Sequence, residues 1–219
     1  RDGQQPIIFM RCGPISHTAA TPAGAPQDLE VVPRSRFARI DLPSEAGIQD
    51  VFRHLANDQD RTNAIAAEIQ EAFAQGRKVL VLTERTEHLD AIRTALDGHE
   101  PAPFVLHGRM SKKQRGSLIA QLDTLPPDAP RILLATGKLV GEGFDHPPLD
   151  TLVLAMPVSW KGMLQQYAGR LHREHASNTG VRIIDFVDSS HPALLRMWDK
   201  RQRGYRAMGY RIAAEVGGS

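Results

Sequence analysis

The sequence predicts an α/β fold, a doubly wound and mostly parallel sheet with helices on both faces, and two observations predict it. Short continuous apolar runs, at Val79–Leu82, Ile132–Ala135 and Thr151–Met156, mark strands buried on both sides. Segments of ten or more residues with helical apolar spacing separate those runs, which is the pattern of βαβ units. Right-handed crossovers then place helices on both faces.

Taken in order, residues 1 to about 44 show little period. One apolar patch, Ile7–Met10, lies within them, and Leu29 to Leu42 alternates loosely, as a strand pair or a crossing linker. Ile48, Val51, Phe52 and Leu55 recur at helical spacing. So do Ile65, Ile69 and Phe73, in a second helix that ends near Gly76. After the strand ending at Leu82, Thr86 to Leu96 reads as a helix and Phe104–Leu106 as a short strand. Ser111 is placed to N-cap a helix running to about Leu122. Two strands follow, then a helix over Lys161 to Arg173 and a fifth strand over Val181 to Val187. The last helix starts near Ser189 or Ser190 and runs towards Met208, with Gly204 as a weak point. Its Leu194, Leu195, Trp198, Tyr205 and Met208 fit one packed face better than a base-stacking surface.

Composition narrows the class. With 219 residues, 41% hydrophobic and 24% charged, the chain is globular, and its apolar runs are too short to span a bilayer. A single cysteine, Cys12, leaves no internal disulfide and no cysteine-rich zinc site, so a reducing cytoplasm is expected. The polar start at Arg1, without an initiator Met, reads as a cut made inside a longer protein. A net charge of +2 does not point to nucleic acid by itself. Its distribution is more informative: Arg196, Lys200, Arg201, Arg203, Arg206 and Arg211 stand against Asp199 alone, a run that either tracks phosphates or forms a solvated helix face.

Ligands of parallel sheets bind at the carboxyl ends of the strands. The segments there are Thr83-Glu84-Arg85, His107-Gly108-Arg109 and the long loop from Thr136 to Pro147, all polar and two of them glycine-bearing. Backbone N–H groups at such turns can hold phosphates. The loop is not a P-loop, because Ile132 and Leu139 stand where a glycine and a Ser/Thr are needed around Gly137-Lys138. It is not a dinucleotide fingerprint either, since His146 follows Gly141 and Gly143 at the third glycine position. No Asp-Glu dipeptide occurs, so the chain lacks a magnesium-holding pair of the Walker-B helicase kind. His107, His146, His172 and His175 have no partners at metal-ligand spacing, and no metal site is expected. Arg170 and Arg173, three apart, project from one helix face beside Gly169. That arrangement suits a polyphosphate presented by another surface, and equally a surface helix paired with Glu174.

The order of these segments resembles that of superfamily 2 helicases of the DEAD/DEAH type. Gln166-x-x-Gly169-Arg170-x-x-Arg173 resembles motif VI, and Ala135-Thr136 with Glu142-Gly143-x-Asp145-x-Pro147 resembles motif V. Thr83-Glu84-Arg85 after its strand resembles motif IV, and Leu106-His107-Gly108 the short motif that follows. The resemblance covers residues 45 to 190 and implies a RecA-like fold, the second of the two in such motors. Residues 1–44 then read as the remnant of a first domain plus linker, and 191–219 as a basic C-terminal helix and tail. The texts Pro6–Pro14 and Arg201–Tyr210 resemble bacterial helicases linked to restriction and DNA defence, which puts DNA ahead of RNA. Motifs I, II and III are absent from these residues, so the resemblance implies that ATP and Mg²⁺ are bound mainly by an N-terminal P-loop domain of the same parent chain.

Carried over by position, Arg170 and Arg173 would be arginine fingers on the ATP phosphates, with Gln166 positioning the nucleotide or its water. Glu142, Gly143, Asp145 and Gly169 would form the ATP-facing part. Thr83, Glu84, Arg85, His107, Gly108, Arg109, Thr136 and Lys138 would meet nucleic acid, with Lys112 and Lys113 adding charge. A fragment of this kind is expected to be inactive alone. The competing reading is a nucleic-acid-binding module on the same scaffold, without catalysis; retention of both arginines favours the motor.

Overall fold

The computed structural model describes residues 29–36, 42, 46–137, 149–158, 164, 167–168, 171 and 180–214. Seven strands form one sheet: β1 (Leu29–Arg36), β2 (Lys78–Thr83), β3 (Phe104–Leu106), β4 (Arg131–Thr136), β5 (Thr151–Leu154), β6 (Val181–Asp188) and β7 (Arg211–Ile212). Their order is β3-β4-β2-β5-β6-β1-β7, and every pairing is parallel. Five helices are described: α1 (Ile48–Asn57), α2 (Gln59–Ala74), α3 (Thr86–Ala95), α4 (Lys112–Asp123) and α5 (Pro192–Ala207).

The central strands are apolar on both sides because both faces are covered. On one face Val79, Val81, Ile132, Leu134, Val153, Ile184 and Phe186 pack with α2 and α3 through Ile65, Ile69, Leu89 and Ile92. On the other, Leu80, Leu82, Leu133, Leu152, Leu154 and Ile183 pack with Leu122 of α4, Trp198 and Tyr205 of α5, and Leu164, Tyr167, Ala168 and Leu171. A third cluster, Val51, Leu55, Met156 and Leu194, seats α1 beside the chain that leaves β5.

Local signals explain the boundaries. Gly76, at φ 78°, ends α2 in a left-handed turn. Ser111 and Gln114 form the reciprocal capping box of α4, with bonds of 3.2 and 2.8 Å. The last helix begins two or three residues later than the spacing suggested: His191 accepts the Ala193 N–H, and Pro192 occupies the first turn, where its missing donor costs nothing.

Several expectations need correction. Of the piece from Leu29 to Leu42, Leu29–Arg36 is a single strand in register with β6 along its whole length, Leu29 opposite Val181 and Arg36 opposite Asp188, and 37–41 lie outside the described residues. Its alternation is loose because charged residues pair at its open side, Arg34 with Glu68 and Glu30 with Arg182 and Arg211. Leu195 is not on the packed face of α5; it is 42% exposed, one position round the helix from buried Leu194. Arg201 does not belong to a phosphate-tracking run, being 1% exposed and paired with Asp185. Most of the expected helix over 161–173 and all of 1–28 lie outside the described residues, although Tyr167, Ala168 and Leu171 are helical.

Candidate functional site

The parallel register sets the site. Thr83 lies opposite Thr136, and Leu106 opposite Ala135, so β3, β4, β2 and β5 end side by side and release their chains at one edge. The described parts of the segments singled out in the sequence, Thr83–Arg85, His107–Arg109 and Thr136, thus stand at the ends of three adjacent strands, β2, β3 and β4.

At the end of β2, Thr83 is buried, and its hydroxyl lies 3.0 Å from His88 Nδ1 and 3.4 Å from the Arg85 N–H that donates to it. His88, on α3, is fully buried, and burial first, then the positive charge of Arg61, pushes its pKa down to about 3. Its Nε2 has no hydrogen-bond partner among the described residues. A neutral ring that donates Nδ1–H to Thr83 leaves a bare nitrogen rather than an orphaned N–H in the core. Arg85 reaches back to α1, where its Nη2 donates to the carbonyl and side-chain oxygens of Gln49 at 3.2 and 3.1 Å. Glu84 is exposed, and together with Arg85, Gln49, Phe52, Met156 and Pro157 it lines a cavity of ≈ 260 Å³.

At the end of β3, the Arg109 N–H donates to His107 Nδ1 at 3.3 Å, and the His107 carbonyl accepts the Met110 N–H at 3.1 Å. Gly108 and Arg109 are exposed, as are Lys112 and Lys113 at the start of α4. A Cβ built on Gly108 would meet nothing within 4 Å, so nothing in the chain's own packing requires glycine there, and the backbone is open to approach. Thr136 is 9% exposed at the end of β4. Lys138, Glu142, Gly143, Asp145, Gln166, Gly169, Arg170 and Arg173 lie outside the described residues. Among the described residues, no group of three or more His, Cys, Asp or Glu comes together to hold a metal ion.

Two buried ion pairs hold the chain that leaves β5, and sequence reading missed both. Arg61 of α2 donates Nε and Nη2 to the two oxygens of Asp188 at 3.2 and 3.1 Å, and Nη1 to the Ala155 carbonyl. Arg201 of α5 grips Asp185 in the same forked way at 2.8 and 2.9 Å and donates to the Val158 carbonyl at 3.1 Å. Tyr205 adds a hydrogen bond to Asp185 at 2.9 Å. The available signal was an acid in the middle of an apolar run, Asp185 within Val181–Val187, since a buried carboxylate calls for a cationic partner.

Comparison with known proteins agrees with this layout. The helicase conserved C-terminal domain family matches residues 61–175. An uncharacterized protein, 108L, of Invertebrate iridescent virus 3 is 40% identical over 96 residues, covering 44% of this chain and 86% of its own length. A protein of Acanthamoeba polyphaga mimivirus, provisionally named ATP-dependent RNA helicase L396, is 23% identical over 96% of this chain, which spans only 40% of that protein. Among solved structures, T4 UvsW shares the fold with a TM-score of 0.65 at 17% identity, over 87% of this chain and 41% of UvsW. The match over more than half of its length, on a seven-stranded RecA-like sheet, makes the chain a member of the helicase conserved C-terminal domain family.

Proposed function

We propose that this chain is the C-terminal motor half of an ATP-dependent nucleic-acid helicase or translocase. It supplies Arg170 and Arg173 as arginine fingers and Gln166 as a positioning group to ATP held by a P-loop domain. The motor half takes in β1 and β7 as well as 45–190, because both strands belong to its sheet. One observation carries the reading. The buried residues Leu164, Tyr167, Ala168 and Leu171 share one helical stripe. At 3.6 residues per turn, a helix continued through this sequence would carry positions 166, 169, 170 and 173 on the opposite stripe, away from those packed residues.

The parts divide the work. Two guanidinium forks meet the charge that develops on the transferred phosphoryl group as water attacks it. Glu142, Gly143, Asp145 and Gly169 face the nucleotide. Thr83, Glu84, Arg85, His107, Gly108, Arg109, Thr136 and Lys138 meet the phosphates of the bound strand, with Lys112 and Lys113 beside them. Opening and closing of the ATP cleft then shifts one set of phosphate grips against another. Mg²⁺ arrives with ATP and is held by the other half; Asp185 and Asp188 are already committed to arginines. The resemblance of the terminal segments favours DNA as partner, whereas the name of the mimivirus relative favours RNA.

The experiment joins the chain to its P-loop domain and measures nucleic-acid-stimulated ATP hydrolysis, with DNA and RNA compared. Arg173→Ala is expected to lower turnover by roughly a thousandfold with nucleotide binding kept. Unchanged turnover would leave a binding module without catalysis.

A further inference from the structure

The C-terminal stretch reaches the chain that carries the proposed fingers at two points. Arg201 Nη1 donates to the carbonyl of Val158, where that chain leaves the sheet. Ten residues on, the hydroxyl of Tyr210 donates to the carbonyl of Ala168 at 3.1 Å, one residue before Gly169 and two before Arg170. Both donors are buried, Arg201 at 1% exposure and Tyr210 at 3%.

The fold presents Tyr210 to that carbonyl by construction. Gly209, at φ 87°, reverses the chain after α5, and the Tyr210 N–H returns to the Tyr205 carbonyl at 3.0 Å. The Tyr210 ring packs against Tyr205, which packs against Trp198, with centroids 6.1 and 6.5 Å apart. β7 then pairs with β1 and anchors the turn to the sheet. Burial pushes the Tyr210 pKa up, so the hydroxyl keeps its proton and remains a donor. A carbonyl has two lone pairs, so Ala168 can accept this bond without losing a backbone one.

We propose that Tyr210 is a positioning residue. Its bond holds the backbone at Ala168, two residues after Gln166 and two and five residues before Arg170 and Arg173 in the sequence, and makes the α5–β7 stretch, which lies beyond the matched residues 61–175, a working part of the motor. This rests on the proposed function above. Positioning matters because a misplacement of about 1 Å at a reacting centre costs on the order of a hundredfold in rate.

The test uses the chain joined to its P-loop domain. Tyr210→Phe removes one oxygen and keeps the ring. It is expected to lower kcat about three- to tenfold with KM for ATP unchanged, the scale of one neutral hydrogen bond. Ile69→Val, in the core on the far face, loses comparable stability and is expected to keep kcat. In an Arg173→Ala background, Tyr210→Phe is expected to lower kcat by a smaller factor than in the wild type, because part of its effect runs through Arg173. Wild-type kcat in Tyr210→Phe, beside a collapse in Arg173→Ala, would overturn the positioning role and leave the proposed function standing. An equal kcat loss in Ile69→Val would overturn it too, assigning the effect to stability. Wild-type kcat in Arg173→Ala would remove the proposed function and the positioning role together.

Discussion

Acidification is expected to destabilise this domain through His88, and the size of the effect follows from its site. In the folded chain the ring is fully buried behind Thr83 with its pKa pushed down to about 3, against the ordinary value of 6.5 in the unfolded chain. Between those values the unfolded state binds a proton that the folded state refuses. Stability is therefore complete above pH 6.5 and is lost as pH falls towards 3. Each pH unit inside that window costs about 1.4 kcal/mol, so going from pH 7.5 to 5.0 removes roughly 2 kcal/mol. With a urea slope of about 3 kcal/mol/M for a chain this long, the midpoint should fall by about 0.7 M. The comparison is His88→Asn, which places a polar atom where Nδ1 meets Thr83 and does not titrate. Subtracting the variant's pH dependence cancels the contributions of every other ionisable group. Parallel midpoint shifts in the two proteins would refute the reasoning and mean that His88 is protonated or hydrated in place.

The remaining predictions concern charge and caps. Arg61→Met leaves Asp188 buried without its cation and is expected to cost about 3–5 kcal/mol in urea unfolding. Adding Asp188→Leu should restore much of that loss, and a double variant as unstable as the single one would show that the carbonyl bond to Ala155 dominates. Ser111→Ala removes the capping box of α4 and is expected to cost about 1 kcal/mol by the same measurement. A change within error there would mean that α4 is held by the packing of Leu122, Leu118 and Ile119 and not by its cap.

What was legible in the sequence is what obeys a short period. The runs Val79–Leu82 and Ile132–Ala135 read as strands because both faces of the sheet are covered, and Ile65, Ile69 and Phe73 read as a helix because their spacing is 3.6. That Thr83–Arg85 and His107–Arg109 leave the sheet at one edge was legible because parallel strands send their following loops to the same side. β1 was obscured by Glu30, Pro33 and Arg34, which suit a strand next to the sheet's edge whose cations and carboxylates pair laterally. β7, two residues long, is made by its neighbour and carries no signal of its own. The charged core was illegible for another reason. Arg61 meets Asp188 across 127 positions, and nothing local in the chain announces such a partner.

Those buried charges say something about how the domain is held. Asp185 and Asp188 are three residues apart on β6, so they point to opposite faces of the sheet. Arg61 therefore comes from α2 on one side and Arg201 from α5 on the other. Each spends its remaining donor on the same short stretch, Ala155 for one and Val158 for the other. Buried pairs of this kind return little net stability compared with apolar side chains of similar volume. What they supply here is direction: two forks on opposite faces fix the carbonyls at which the chain leaves the sheet, and Tyr210 fixes a third at Ala168. An apolar core at these positions could fold the domain but would not aim that chain, because methyl groups pack without specifying which carbonyl they meet.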